Sequence, residues 1–240
     1  MTTPTIDSIS PADVARLCGE NGFELADSAA SGLALYLTML CQWNTTMNLT
    51  GMQGWQDVCR NLAMDSLHLG TFLETLPLPG HPLTWDLGAG AGLPGVPLRL
   101  VWPHGQYYMI EVRAKRALFI SSVLARLRPR ETHVFRGSVE DFFPGQPHRA
   151  NLILSRAFMP WPELCDLALP HVGDDGMLVI MANDAPPQGE ELPGSCRLLA
   201  SQSYDVAGRT RWFWALAPAA SAGSAEPAGR EIPQAGDAAH

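Results

Sequence analysis

Residues able to hold a ligand gather first at Asp86-x-Gly88-x-Gly90-x-Gly92, between a short apolar run, Leu83 to Leu87, and the periodic Val96, Leu98 and Leu100. The order reads as strand, glycine loop and helix, with Pro94 in the first helical turn, where its missing N–H costs nothing. Alternate glycines let the backbone approach a ligand that a Cβ would push away, and the helix start behind them offers free N–H groups. Such loops hold nucleotide-like cofactors; a glycine-rich turn without a ligand is the plainer alternative. Asp86, at the strand end, either orders the loop or faces positive charge on a cofactor.

Which cofactor is narrowed by what the loop lacks. The dinucleotide fingerprint wants a third Gly or Ala where this chain has Leu93, and no Gly-Lys-Ser/Thr follows for a triphosphate. The remaining Asp-x-Gly-x-Gly-x-Gly resembles the first motif of class I S-adenosylmethionine (SAM) methyltransferases. Glu111 ends the next apolar run, 23 residues after Gly88, near the spacing at which a strand-end acid meets ribose hydroxyls. The alternative for Glu111 is a surface acid paired with Arg113 or Lys115.

These groups need elements to carry them. Ser10-Pro11 starts a short helix ending near Gly19 to Gly22, and Asp27 or Ser28 caps a second to about Trp43. The polar stretch from Trp43 to Gly51 reads as loop, and a third helix runs from about Trp55 to Leu76. From Leu83 onward short apolar runs alternate with helical segments, the pattern of a mostly parallel sheet covered on both faces. Strands are expected at Leu83–Leu87, Gln106–Glu111, Thr132–Arg136, Asn151–Ser155 and Met177–Met181, with a closing antiparallel pair at Ser195–Tyr204 and Arg211–Leu216. The expected organisation is a helical segment over residues 1–80 packed on a catalytic domain over 81–217. Residues 218–240 are rich in Ala, Gly and Pro, lack apolar periodicity and read as a disordered tail.

The totals exclude several classes. Nothing resembles a signal peptide or a spanning helix, so the reading is a cytoplasmic protein without membrane contact. Five widely spaced cysteines with no Cys-x-x-Cys indicate neither a disulfide framework nor a zinc site, and no metal is expected. A net charge of −8 argues against nucleic acid, yet eight of the 16 basic residues fall between Arg99 and Arg136 against only Glu111 and Glu131. That segment carries +6 and the remainder −14. Lys115, Arg116, Arg126 and Arg128 are its candidates for RNA phosphates, a solvated helix face being the alternative.

Several separated stretches together resemble the RsmG (GidB) family of bacterial small-subunit rRNA guanine-N7 methyltransferases. They are Trp43-Asn44-x-x-x-Asn48-Leu49-Thr50, Asp65-Ser66-Leu67, Asp86 through Leu98, Lys115-Arg116, Val139-Glu140 and Ser155-Arg156-Ala157, within about Leu33 to Leu216. The resemblance implies a class I methyltransferase fold, SAM as cofactor, and N7 of a guanine, usually guanine 527, in small-subunit rRNA or a ribosomal particle as the target. It further implies cofactor contacts at Gly88, Leu93, Val139, Glu140 and Arg156, to which the residue chemistry adds Asp86, Gly90, Gly92 and Glu111. Val139 N–H and the Glu140 carboxylate can bond an adenine edge, although Glu140 can equally be a helix-start carboxylate and Arg156 a structural ion pair.

Guanine N7 carries its own lone pair, so no general base is required, and no catalytic acid–base residue is expected. Alignment with the methyl carbon suffices. Asn61-Leu62, Ser138 and Ala182-Asn183 stand where family members usually carry cations, which bears on RNA affinity. Alternatives are a SAM methyltransferase with another substrate and an inactive SAM-binding protein associated with RNA. A monomer is the expected state.

Overall fold

The computed structural model describes residues 8–52, 54–187 and 192–219. Its sheet comprises β1 (Leu83–Leu87), β2 (Gln106–Glu111), β3 (Thr132–Arg136), β4 (Ala150–Arg156), β5 (Val172–Ala182), β6 (Cys196–Val206) and β7 (Arg209–Pro218). The strand order is β3-β2-β1-β4-β5-β7-β6. Neighbours from β3 to β5 pair in parallel, whereas β7 pairs antiparallel with both β5 and β6. The first three strands lie where the apolar runs put them, and the closing pair is the expected one with a longer β6 and β7.

Both faces of the sheet are buried, so its strands read as continuous apolar runs, with period two deciding which core each residue enters. Leu152 and Leu154, Met177 and Val179, and Phe213 and Ala215 enter one core, shared with Leu33, Tyr36, Leu37 and Leu40 from α2 (Asp27–Met47) and Phe72 from α4 (Met64–Glu74). Ile153, Leu178, Ile180, Trp214 and Leu216 enter the opposite core with Trp85 and Phe142. There the Trp85 and Phe142 rings meet edge-on at 5.3 Å, a contact contributing about 0.5–1.5 kcal/mol beyond its buried area.

The helices before the sheet differ from the expectation in four details. In α1 (Pro11–Gly19) Ser10 holds the N-cap position with no side-chain bond, and at the start of α2 the N-cap is Ala26, one residue before the expected Asp27. Helix α2 also runs past Trp43 to Met47, where Asn48 stops it in a left-handed conformation (φ 47°). The polar character of Trp43 to Met47 marked exposure of the last turn, not loss of helix. Asn44 then secures the following turn, accepting from Thr50 N–H at 2.8 Å and donating to the Met52 carbonyl at 3.0 Å.

The helix expected from Trp55 is divided into α3 (Trp55–Val58), a π-helical turn (Cys59–Ala63) and α4. π-Turns inside helices often mark functional sites, and here the Asn61 carbonyl receives Arg211 Nη1 of β7 at 3.0 Å. Remaining elements are α5 (Gly95–Val101), α6 (Ala114–Leu127), the single-turn α7 (Val139–Phe142) and α8 (Trp161–Ala168). Pro94 is the N-cap of α5 and not a residue of its first turn. Pro218 closes β7, while the rest of the expected tail, residues 220–240, lies outside the described residues, as do residues 188–191 of the Pro/Gly/acid-rich loop.

Candidate active site

The glycine loop leaves the end of β1 and is fixed before any ligand arrives. Gly88 (φ 72°) and Ala89 both donate to the Ile110 carbonyl at 3.0 Å, so the loop leans on the end of β2. Tyr36, buried on α2, donates its hydroxyl to the Ala91 carbonyl at 2.9 Å, and burial pushes that phenol well above its ordinary range. Tyr36 is a positioning residue that helical periodicity marks only as core.

Beneath the loop lies Asp86, 1% exposed, accepting from the Tyr107 hydroxyl at 3.1 Å and from the Gly95 backbone. Burial pushes its carboxyl up to about 7, against the pull of those bonds and of Arg156. Of its two sequence readings, ordering the loop is the one this geometry matches. Asp86 does not line the cleft above. Gly95 is required for the close approach, since a Cβ there would sit 2.7 Å from Asp86 Oδ2 and 2.6 Å from Met109 Cε.

That cleft, of about 340 Å³, opens at the carboxyl ends of β1, β2 and β3 and is lined by Gly88, Glu111, Val112, Arg116, Val139, Glu140 and Phe158, among others. Ligands of open α/β sheets bind at this edge, outside the strand ends. Glu111 is 4% exposed, and its two oxygens each accept one backbone N–H, from Gly90 and from Arg113, both at 2.8 Å. The surface pairing with Arg113 or Lys115 side chains is not what holds it. A carboxylate has about four acceptor sites, so each oxygen keeps one for a neighbouring pair of hydroxyls.

Val139 and Glu140 begin α7, and here the sequence alternatives separate. Ser138 accepts from Asp141 N–H at 3.1 Å and Asp141 returns a bond to Ser138 N–H, so Asp141 completes the capping box. Glu140 is exposed beside the cleft with no bond of its own among the described residues, and the first-turn N–H of Val139 has no intrahelical partner. Ser138, one of the positions departing from the usual cation, is thus the cap that shapes this wall. Sequence reasoning passed over Val112, a large apolar side chain left 63% exposed at the cleft. Its signal was an apolar residue directly after a strand-end acid.

Not every expected contact reaches the cleft. Leu93 is buried in the core with α2, Gly90 spends its N–H on Glu111, and Gly92 faces Val96. Arg156 lies in an adjacent cavity of about 310 Å³, ion-paired with Asp65 at 2.9 Å. Arg211 binds the same Asp65 oxygen, and Tyr204 donates to the other at 3.2 Å. Burial pushes the Asp65 carboxyl up while the two guanidiniums and Tyr204 pull it down.

The basic residues divide into two places. Arg113, Lys115 and Arg116 sit at the amino end of α6, and that first turn holds no acid. Arg113 and Arg116 line the cleft, and their charge adds to the positive end of the helix dipole to make that side electropositive. Arg126 and Arg128 sit at the other end of α6, roughly 15–20 Å away at 1.5 Å per residue. Arg99 is not a surface cation: it is 3% exposed and donates to the carbonyls of Trp102, His104, Gly105 and Arg130.

Strand order, loop and edge cleft define the class I methyltransferase fold. A solved MtNAS mutant in complex with S-adenosylmethionine shares it, with a TM-score of 0.56 at 12% identity over 87% of this chain and 77% of that one. The family model described as GidB, rRNA small subunit methyltransferase G, matches residues 29–207. Proteins named ribosomal RNA small subunit methyltransferase G are similar throughout. That of Nitratidesulfovibrio vulgaris strain DP4 is 45% identical over 88% of this chain and 95% of its own length. That of Oleidesulfovibrio alaskensis is 46% identical over 85% and 92%. The chain belongs to the GidB family of rRNA small subunit methyltransferases.

Proposed function

We propose that this methyltransferase transfers the methyl group of SAM to N7 of a guanine in small-subunit rRNA, guanine 527 being the expected one. SAM is the cofactor, supplying a methyl group on a sulfonium. The observation carrying its placement is Glu111, buried at the cleft floor with one acceptor site left on each oxygen for the ribose hydroxyls. Val112 and Val139 offer apolar contact to the adenine, Val139 N–H and Glu140 its polar edge, and the methionine portion is assigned to the Gly88 end of the cleft, where the Phe158 ring packs on the glycine.

The residues act by binding and orienting. N7 attacks with its own lone pair, so the chain needs to hold the base in line with the methyl carbon and exclude water, and no proton has to move. Arg116, which lines the cleft, and the exposed Lys115 before it are the residues we assign to RNA phosphates. We further propose that residues 1–80 form a helical segment supporting a catalytic domain of 81–217, and that the protein works in the cytoplasm as a monomer.

Calorimetric titration with SAM and with NAD tests the cofactor, and mapping N7-methylguanine in rRNA from a deletion strain tests the target. Binding of NAD without SAM, or an unchanged methyl at the target guanine, would overturn the reading. Glu140→Ala is expected to weaken SAM without changing the melting temperature.

A further inference from the structure

The second cavity gathers three charged groups of the interior, of which only Arg156 stands among the cofactor contacts that the family resemblance implies. Its floor is Asp65, Arg156, Arg211 and Tyr204, brought together from α4, β4, β7 and β6, and the three charged groups sum to +1. Asp65 is 1% exposed, and the Arg156 and Arg211 side chains are 19% and 14% exposed. Two guanidiniums carry ten N–H donors. Among the described residues Arg211 Nη1 is occupied by Asn61 and Asp65, Arg156 reaches Asp65 through Nη2 alone, and Arg211 Nε is buried with no partner. Arg211 Nη2 and Arg156 Nη1 make no bond among the described residues, and these are the donors the floor can offer to a ligand.

Its walls are mixed, Met159, Leu164, Ile180 and Met181 standing beside the polar Ser155 and Asn183, and the space, at about 310 Å³, is small for a ligand pocket and suits a single base. Ala157, held at φ 51°, lines this cavity and the cofactor cleft alike, so the two adjoin at the end of β4. An enzyme that modifies a base must draw it out of its stack into such a space.

We infer that this cavity takes the extruded target guanine and that Arg211, positioned by Asp65, selects it by donating to O6. Guanine presents acceptors at O6 and N7, adenine an acceptor at N7 and an amine donor at position 6. A guanidinium donating to O6 accepts the first and rejects the second. A bidentate grip on O6 and N7 together would block the attacking lone pair, so one contact at O6 is the compatible arrangement. The inference rests on the methyl-transfer reading above. Bond changes are those of that reaction: the N7 pair forms the N–CH3 bond, the C–S pair stays on sulfur, and no proton moves.

The test uses small-subunit particles whose rRNA carries guanine, inosine or 2,6-diaminopurine at the target position. The protein is expected to methylate guanine and inosine at similar rates and diaminopurine, which replaces O6 by an amine, at least tenfold more slowly. Arg211→Met should lower the guanine rate about tenfold to a hundredfold, leave the diaminopurine rate unchanged, and so abolish the preference, with SAM affinity intact by calorimetry. Arg211→Lys keeps a cation beside Asp65 and decides the matter should the Met variant not fold; its preference should be intermediate.

A preference retained in both variants overturns the inference. If all three substrates slow equally in the variants, the donors serve an RNA phosphate instead. Loss of SAM affinity in step with rate assigns the cavity to the cofactor, and inosine failing like diaminopurine moves recognition to the 2-amine. No methylation of any particle by the unaltered protein removes the methyl-transfer reading itself.

Discussion

Two hollows share one edge of the sheet and are built in opposite ways. The cleft between Gly88 and Val139 is made by the turns that end β1, β2 and β3, and the donors fixed on Glu111 are backbone N–H groups of those turns. The cavity beyond Ala157 is made by long side chains from elements far apart in the chain, meeting at one carboxylate. A site made of local turns tolerates loss of one group with a local effect on affinity. A site made of a buried charge cluster ties substrate recognition to the stability of the whole fold.

The sharpest way to break that contrast is Asp65→Ala. Two guanidiniums lose their common partner in a buried setting, a change that typically costs about 3–5 kcal/mol. Urea unfolding is expected to show a loss of that size; a loss under 1 kcal/mol would mean the cluster carries no structural load.

Asp86 gives the next largest effect, through pH. Its folded pKa, about 7, stands above the ordinary carboxylate value, so the folded state binds the proton more tightly than the unfolded chain. Its contribution is fully present below the unfolded pKa and is lost as pH rises through about 7, by roughly 4 kcal/mol at most. Comparing unfolding free energies at pH 5 and pH 8, Asp86→Asn should lose clearly less than the unaltered protein. An equal loss would show that Asp86 is ionised throughout.

On the cofactor side, Glu111→Gln keeps the shape but removes the charge that holds Gly90 and Arg113 and awaits the ribose. SAM affinity should fall by about 1.5–3 kcal/mol, roughly ten- to a hundredfold, with little change in the urea midpoint. A large stability loss without an affinity loss would make this cleft behave like its neighbour.

The smallest effect separates the two basic clusters. Lys115→Glu and Arg116→Glu should each reduce the slope of log RNA affinity against log salt by about 0.7–0.9, if each meets one phosphate. Arg126→Glu and Arg128→Glu, at the far end of α6, should leave the slope unchanged. Equal effects from both pairs would extend the RNA surface around the sheet edge.

The sequence by itself determined where the strands and the glycine loop lie, and that Glu111 ends β2, because each depends on residues within one turn or one strand. Apolar runs of five or six residues set β1 to β3, and loop φ values follow from glycine itself. The tertiary structure decided the rest. It extended α2 to Met47, divided the basic segment between two ends of one helix, and buried Arg99 among carbonyls. It also joined Asp65 to Tyr204 across 139 residues and to Arg211 across 146. No local pattern encodes such a pair: the chain must close β7 beside β5 and pack α4 on the sheet before the charges meet, and only then does burial make their pairing obligatory.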